Sequence, residues 1–156
     1  MHPLRFIAAI CALASAPVLL HAQREKLSLE DLEFVEKTWP QAKISNTGMR
    51  YIIEREGKGP LLMPGDMVMV HYDGKLLNGK LFDQNHDDKH PFTFRVGRGY
   101  VIEGWDQILQ LMRPGDKWLV IIPAELAYGR KGSPPKIPGY ATLVFDIEVL
   151  GIKKES

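Results

Sequence analysis

Hydrophobic positions along this chain follow one pattern after another. An uncharged apolar run from Phe6 to Leu20 gives way to a helical stripe of Leu29, Leu32 and Val35, and from Gly48 apolar and polar residues alternate. The stripe lies behind Ser28-Leu29-Glu30-Asp31, a helix start with a hydroxyl cap, and it stops at Trp39-Pro40. Alternation predicts strands over Met49–Glu54, Met67–Leu76, Phe92–Val96 and Thr142–Ile152, and the turn Arg113-Pro114-Gly115-Asp116 leads the chain into another over Lys117–Ile122. Asn78-Gly79 supplies the positive-φ residues of a tight hairpin whose return arm begins over Lys80 to Asp83. Helical spacing returns at Glu103 to Met112, where Trp105, Ile108, Leu109 and Met112 recur at i, i+3, i+4 and i+7. A helix with one broad apolar face must be covered, and a one-sided antiparallel sheet needs something to cover. The pattern therefore predicts an α+β domain in which a five-stranded antiparallel sheet wraps a short central helix. Gly129 to Gly139, rich in Gly and Pro, is too long for a hairpin turn and reads as a flap over a pocket edge.

The termini add organisation. Met1 to Arg5 is a basic start, Phe6 to Leu20 is shorter than the ~18 residues of a membrane span and carries Pro17, and polar sequence follows from Gln23. This is the pattern of a cleaved signal peptide over residues 1–22, with periplasm or secretion as the expected location and no membrane span after cleavage. The extension then covers residues 23–47, the domain 48–152 and a short tail 153–156. The stripe of the first helix fits docking on the main body, a dimer contact or fraying; docking is the simplest of the three. Loss of residues 1–22 removes Arg5 from 20 basic residues and nothing from 19 acidic ones, which leaves the remainder neutral. No nucleic-acid partner is implied. Cys11, the single cysteine, leaves with the same segment, so thiol chemistry and disulfides are not expected.

Candidate chemistry is sparse. The chain shows no nucleophile elbow, phosphate-cradling loop or histidine-pair motif. His71, on a strand beside Tyr72, reads as structural, while His86 and His90 in a polar loop read as solvated, and no metal or cofactor is expected. What remains is an aromatic and aliphatic set: Tyr72, Phe82, Phe92, Phe94, Val101, Ile102, Trp105, Tyr128, Ile137 and Phe145. By its own segment Trp105 reads first as core. Two hydroxyl-bearing rings, together with Asp83 directly after Phe82, argue that the set also lines a cavity, because apolar walls with a few placed polar groups are how small-ligand sites are built.

Six motifs in order resemble the FKBP-type peptidyl-prolyl cis-trans isomerases: Val70-His71-Tyr72, Gly79-Lys80-Leu81-Phe82-Asp83, Pro91-Phe92-Thr93-Phe94, Val101-Ile102-Glu103-Gly104-Trp105, Ala127-Tyr128-Gly129 and Ala141-Thr142-Leu143-Val144-Phe145. The resemblance runs from about Gly48 to Gly151. It implies a half-barrel sheet around the helix and a pocket for the proline ring of an Xaa-Pro segment, with Trp105 as base and Tyr72, Phe92, Val101, Ile102 and Phe145 as walls. It further implies that the Ile102 N–H and the Tyr128 hydroxyl bind substrate carbonyls, that Phe82 and Asp83 sit at the rim, and that Phe94 and Ile137 contribute near the flap. The implied partners are proline-containing, incompletely folded proteins and macrolides of the rapamycin type. Many members place an arginine against the aspartate where this chain has Asp88, so Asp83 is expected to be held by tyrosine hydroxyls or water instead, on a looser rim. Ser133 and Lys136 replace larger or apolar flap contacts, which bears on macrolide affinity. A catalytically weak chaperone or peptide-binding module with the same pocket is the alternative reading.

Overall fold

The computed structural model describes residues 25–153; the signal segment expected over residues 1–22 lies outside them. Helix α1 spans Leu29–Thr38, with the Ser28 hydroxyl accepting from the Asp31 N–H at 3.1 Å as the Ser-x-x-Asp pattern requires. Its last residues meet Trp39-Pro40, and a residue before proline is disfavoured in the helical region.

Strands follow as β1 (Lys43–Ile44), β2 (Arg50–Arg55), β3 (Met67–Leu76), β4 (Leu81–Asn85), β5 (Phe92–Arg95), β6 (Lys117–Ile122) and β7 (Leu143–Ile152), with α2 (Glu103–Leu109) between β5 and β6. Every pairing is antiparallel, in the order β1-β2-β6-β7-β3-β4. The sheet thus has seven strands where five were expected. Two features account for the difference. The two-residue β1 is too short to show a period, and β4 and β5 share one edge of β3, β5 against Met67–Val70 and β4 against Tyr72–Lys75.

Strand alternation sorts side chains onto two faces. Val120, Ile122, Leu143, Phe145, Ile147 and Val149 face α2 with Trp105, Ile108, Leu109 and Met112, forming the main core. Ile121 and Val144 point the other way and are covered by Leu27 and Val35 of the N-terminal segment. The extension therefore docks on the outer face of the sheet. Polar contacts fix it there: Lys26 pairs with Glu125, Glu25 with Arg50, and the Thr142 hydroxyl donates to Asp31 Oδ2 at 2.6 Å.

Helix α2 is shorter than its apolar spacing predicts. Leu111 and Met112 N–H groups bond back three residues, to Ile108 and Leu109, so the final turn tightens before Pro114 ends it. Met112 stays fully buried all the same. Gly104 lets α2 approach the sheet, because a Cβ there would sit 2.5 Å from Ile122 Cγ2.

Candidate functional site

A cavity of about 160 Å³ opens where α2 begins, lined by Tyr72, Phe82, Asp83, Phe92, Tyr100, Val101, Ile102, Trp105, Tyr128 and Phe145. The chain brings these together from five places: β3, β4, the β5–α2 segment, the flap root and β7. Trp105, only 3% exposed, is both core and floor. Around it Tyr72 stands edge-on at 5.1 Å and 90°, Phe145 at 5.3 Å and 82°, and Phe92 at 6.1 Å and 69°. These are the T-shaped arrangements that place ring edges against π-faces. Gly74 makes room for the wall: a Cβ on it would lie 2.8 Å from ring atoms of both Phe82 and Phe145.

Polar groups sit at the rim. The Tyr72 hydroxyl donates to Asp83 Oδ2 at 2.7 Å and the Gln84 N–H to Asp83 Oδ1 at 2.9 Å, so a tyrosine does hold the aspartate. Asp88, 93% exposed at its side chain, instead faces His71 Nε2 at 3.6 Å. Burial, and after it the hydrogen bond and charge of Asp83, push the Tyr72 phenol well above the usual tyrosine value; Tyr128 is raised by burial and then by the Asp83 charge. Both rings therefore stay protonated donors at neutral pH. Among the described residues neither the Tyr128 hydroxyl nor the Ile102 N–H has a hydrogen-bond partner, and Ile102 is the extended residue that caps α2.

The two remaining site candidates lie outside the lining. Phe94 is buried behind the wall, 4.9 Å from Phe92 and 5.9 Å from Trp105. Ile137 is buried in the main core, and its backbone pairs with Ser133 in both directions at 2.8 and 3.0 Å. That pairing, with the Tyr140 N–H on Gly129 O at 2.8 Å, stitches the flap into a closed loop. His71 is buried in β3, whereas His86 and His90 are exposed beside Asp73 and Asp87.

Sequence reasoning missed two contributors. Tyr100, 70% exposed, lines the cavity mouth, and a single exposed aromatic carries no periodic signal. Asp106 accepts the Gly97 and Gly99 N–H groups at 2.8 and 2.7 Å and so anchors the loop that delivers Val101 and Ile102. Two glycines one residue apart before a helix with an acid in its first turn are the trace of that contact.

An antiparallel sheet curved over a short helix, with an aromatic cavity at the helix start whose lining holds no serine, threonine, cysteine, lysine or histidine, defines an FKBP-like binding domain. Residues 59–150 match the model of the FKBP-type peptidyl-prolyl cis-trans isomerase family, and the chain belongs to that family. Mouse peptidyl-prolyl cis-trans isomerase FKBP2 is 51% identical over 92 residues, which are 59% of this chain and 66% of the mouse protein, just under two thirds of its length. Arabidopsis thaliana FKBP15-2 is 48% identical over 91 residues, covering 58% of this chain and 56% of its own. The crystal structure of AtFKBP13 superposes with a TM-score of 0.67 at 40% identity, over 72% of this chain and 99% of that one.

Proposed function

We propose that the protein is a peptidyl-prolyl cis-trans isomerase that seats a proline ring over Trp105. The carrying observation is the cavity itself: aromatic walls around Trp105, with the unpartnered Ile102 N–H and Tyr128 hydroxyl at its edge. Isomerisation breaks no bond. It rotates a C–N bond against lost resonance, a barrier of ~18–20 kcal/mol. The planar imide is more charge-separated than the twisted form, so a dry apolar pocket disfavours the ground state relative to the transition state, while donors on the flanking carbonyls select a bent chain. Tyr72, Phe82, Phe92, Val101 and Phe145 would supply the dry walls. Asp83, held by Tyr72, would carry the rim charge, and Phe94 and Ile137 would support wall and flap from behind.

The clients would be incompletely folded proteins outside the cytoplasm, in the periplasm or a secretory compartment, as a cleaved segment over residues 1–22 implies. Among the described residues no helix is long and apolar enough to cross a membrane. Residues 23–47 would then serve as an extension docked on a domain of residues 48–152. A dimer through α1 would use Leu29 and Phe34, which remain exposed after docking. Macrolides of the rapamycin type should compete for the pocket, with Ser133 and Lys136 altering the flap contacts.

The test follows cis-trans exchange of Leu-Pro and Phe-Pro peptides on residues 23–156, with and without rapamycin. Acceleration at micromolar protein supports the enzyme. Peptide binding without acceleration would leave the chaperone-like reading in its place.

A further inference from the structure

We propose that a groove adjoining the pocket is a subsite for an acidic side chain of the client, close in sequence to the proline that the pocket holds. The inference rests on the prolyl-isomerase reading and adds a specificity to it. The groove is lined by Lys80, Leu81, Phe82, Asp83, Gln84 and Lys136. Phe82 and Asp83 also line the proline cavity, so the two depressions adjoin at these residues. A chain advances about 3.3–3.6 Å per residue when extended, so a peptide leaving the cavity past Phe82 reaches the groove within a few residues. β4 stands last in the strand order, so among the described residues no further strand covers this edge.

Charge decides what the groove prefers. Lys80, on the return arm of the hairpin, and Lys136, on the flap, come from distant parts of the chain and converge here. Lys136 Nζ donates to the Phe82 carbonyl at 3.1 Å, which places the ammonium and leaves donors to spare. Among the described residues neither lysine has a carboxylate partner, whereas Lys26, Lys75 and Lys117 are each paired with an acid. The one acid in the groove, Asp83, accepts from the neutral Tyr72 hydroxyl and Gln84 N–H and keeps its charge, so two ammonium groups stand against one carboxylate. That positive excess complements Asp or Glu on the client, and the exposed Leu81 side chain covers that residue's methylenes.

The experiment uses peptides that share one Xaa-Pro pair and differ at a single position, within three residues of the proline on either side, as Glu, Gln or Lys. Binding by fluorescence anisotropy and exchange rate by NMR are both read. At one flank the expected order is Glu, then Gln, then Lys, with Glu over Gln by about twofold to fivefold at low salt, the range of exposed ion pairs. The ratio should shrink as salt rises and collapse in the Lys80→Gln, Lys136→Gln double variant while surviving in Lys136→Arg. Equal binding of Glu and Gln peptides at every position, or a Glu preference that neither salt nor the double variant changes, would overturn the subsite. If the double variant fails to fold, the salt series on the unaltered protein decides alone. Glu-dependent binding without exchange would keep the subsite and remove the isomerase reading; exchange without Glu dependence would do the reverse.

Discussion

Tyr72 carries two tasks on different atoms. Its ring packs edge-on against Trp105, and its hydroxyl holds Asp83 at 2.7 Å. Tyr72→Phe keeps the first and removes the second, so kcat/KM should fall roughly fivefold, the worth of a hydrogen bond of ~1 kcal/mol, with a small change in Tm. Phe145→Ala removes a buried ring that is both core and wall, and should cost about 3–5 kcal/mol in denaturant unfolding as well as activity. Trp105→Leu keeps an apolar floor and should lower exchange moderately; a complete loss would point to a role for the indole beyond shape. The raised tyrosines also set a pH dependence. Folding holds Tyr72 and Tyr128 protonated above the pH of about 10 where an unfolded tyrosine ionises, so their stabilisation is fully present below that pH. It is lost as pH rises from there toward the folded values. Unfolding curves taken between about pH 9 and pH 11 should show this decline, and a Tyr72→Phe, Tyr128→Phe protein should show less of it.

At the scale of elements, the site depends on parts that never touch it. The N-terminal segment grips both roots of the flap, Lys26 on Glu125 just before Tyr128, and Asp31 on Thr142 just after the loop closes. Asp31→Ala should therefore raise hydrogen exchange at flap amides over residues 128–140 while leaving β3 and β7 protected; unchanged flap exchange would make the contact a local cap only. β3 contributes through an absence. Gly74→Ala would drive a methyl into Phe82 and Phe145, and the expected loss is about 1–3 kcal/mol, with weaker binding of proline peptides because both rings must shift.

In the molecule as a whole, one curved sheet is used on both faces: the concave side closes over α2, and the convex side is covered by α1. Much of this was legible in the chain. Met67–Leu76 runs as its alternation predicts, since a strand buried on one face must repeat at two, whereas Lys117–Ile122 ends in consecutive buried residues because α2 and the N-terminal segment cover its two faces. Asn78-Gly79 marked the place of its hairpin, but only Gly79 of the pair takes a positive φ, 88°; its N–H bonds to Leu76 O, so Leu77 and Asn78 are the central residues of the turn and Gly79 follows them. Nine of the ten lining residues stood in the motif set, because a pocket that is also core shows the apolar pattern of core. Periodicity could not show the rest. The end of α2 depends on bonds that tighten before Pro114, and β1 exists only because β2 offers it an edge. Local sequence therefore determined the elements, their inward faces and the residue types of the site, since propensity and period act within a few residues of themselves. Tertiary structure alone decided that Tyr72 answers Asp83, that Asp106 anchors the loop before Val101, that the N-terminal segment braces the flap, and that Lys80 meets Lys136, because each joins groups whose proximity only the closed sheet creates.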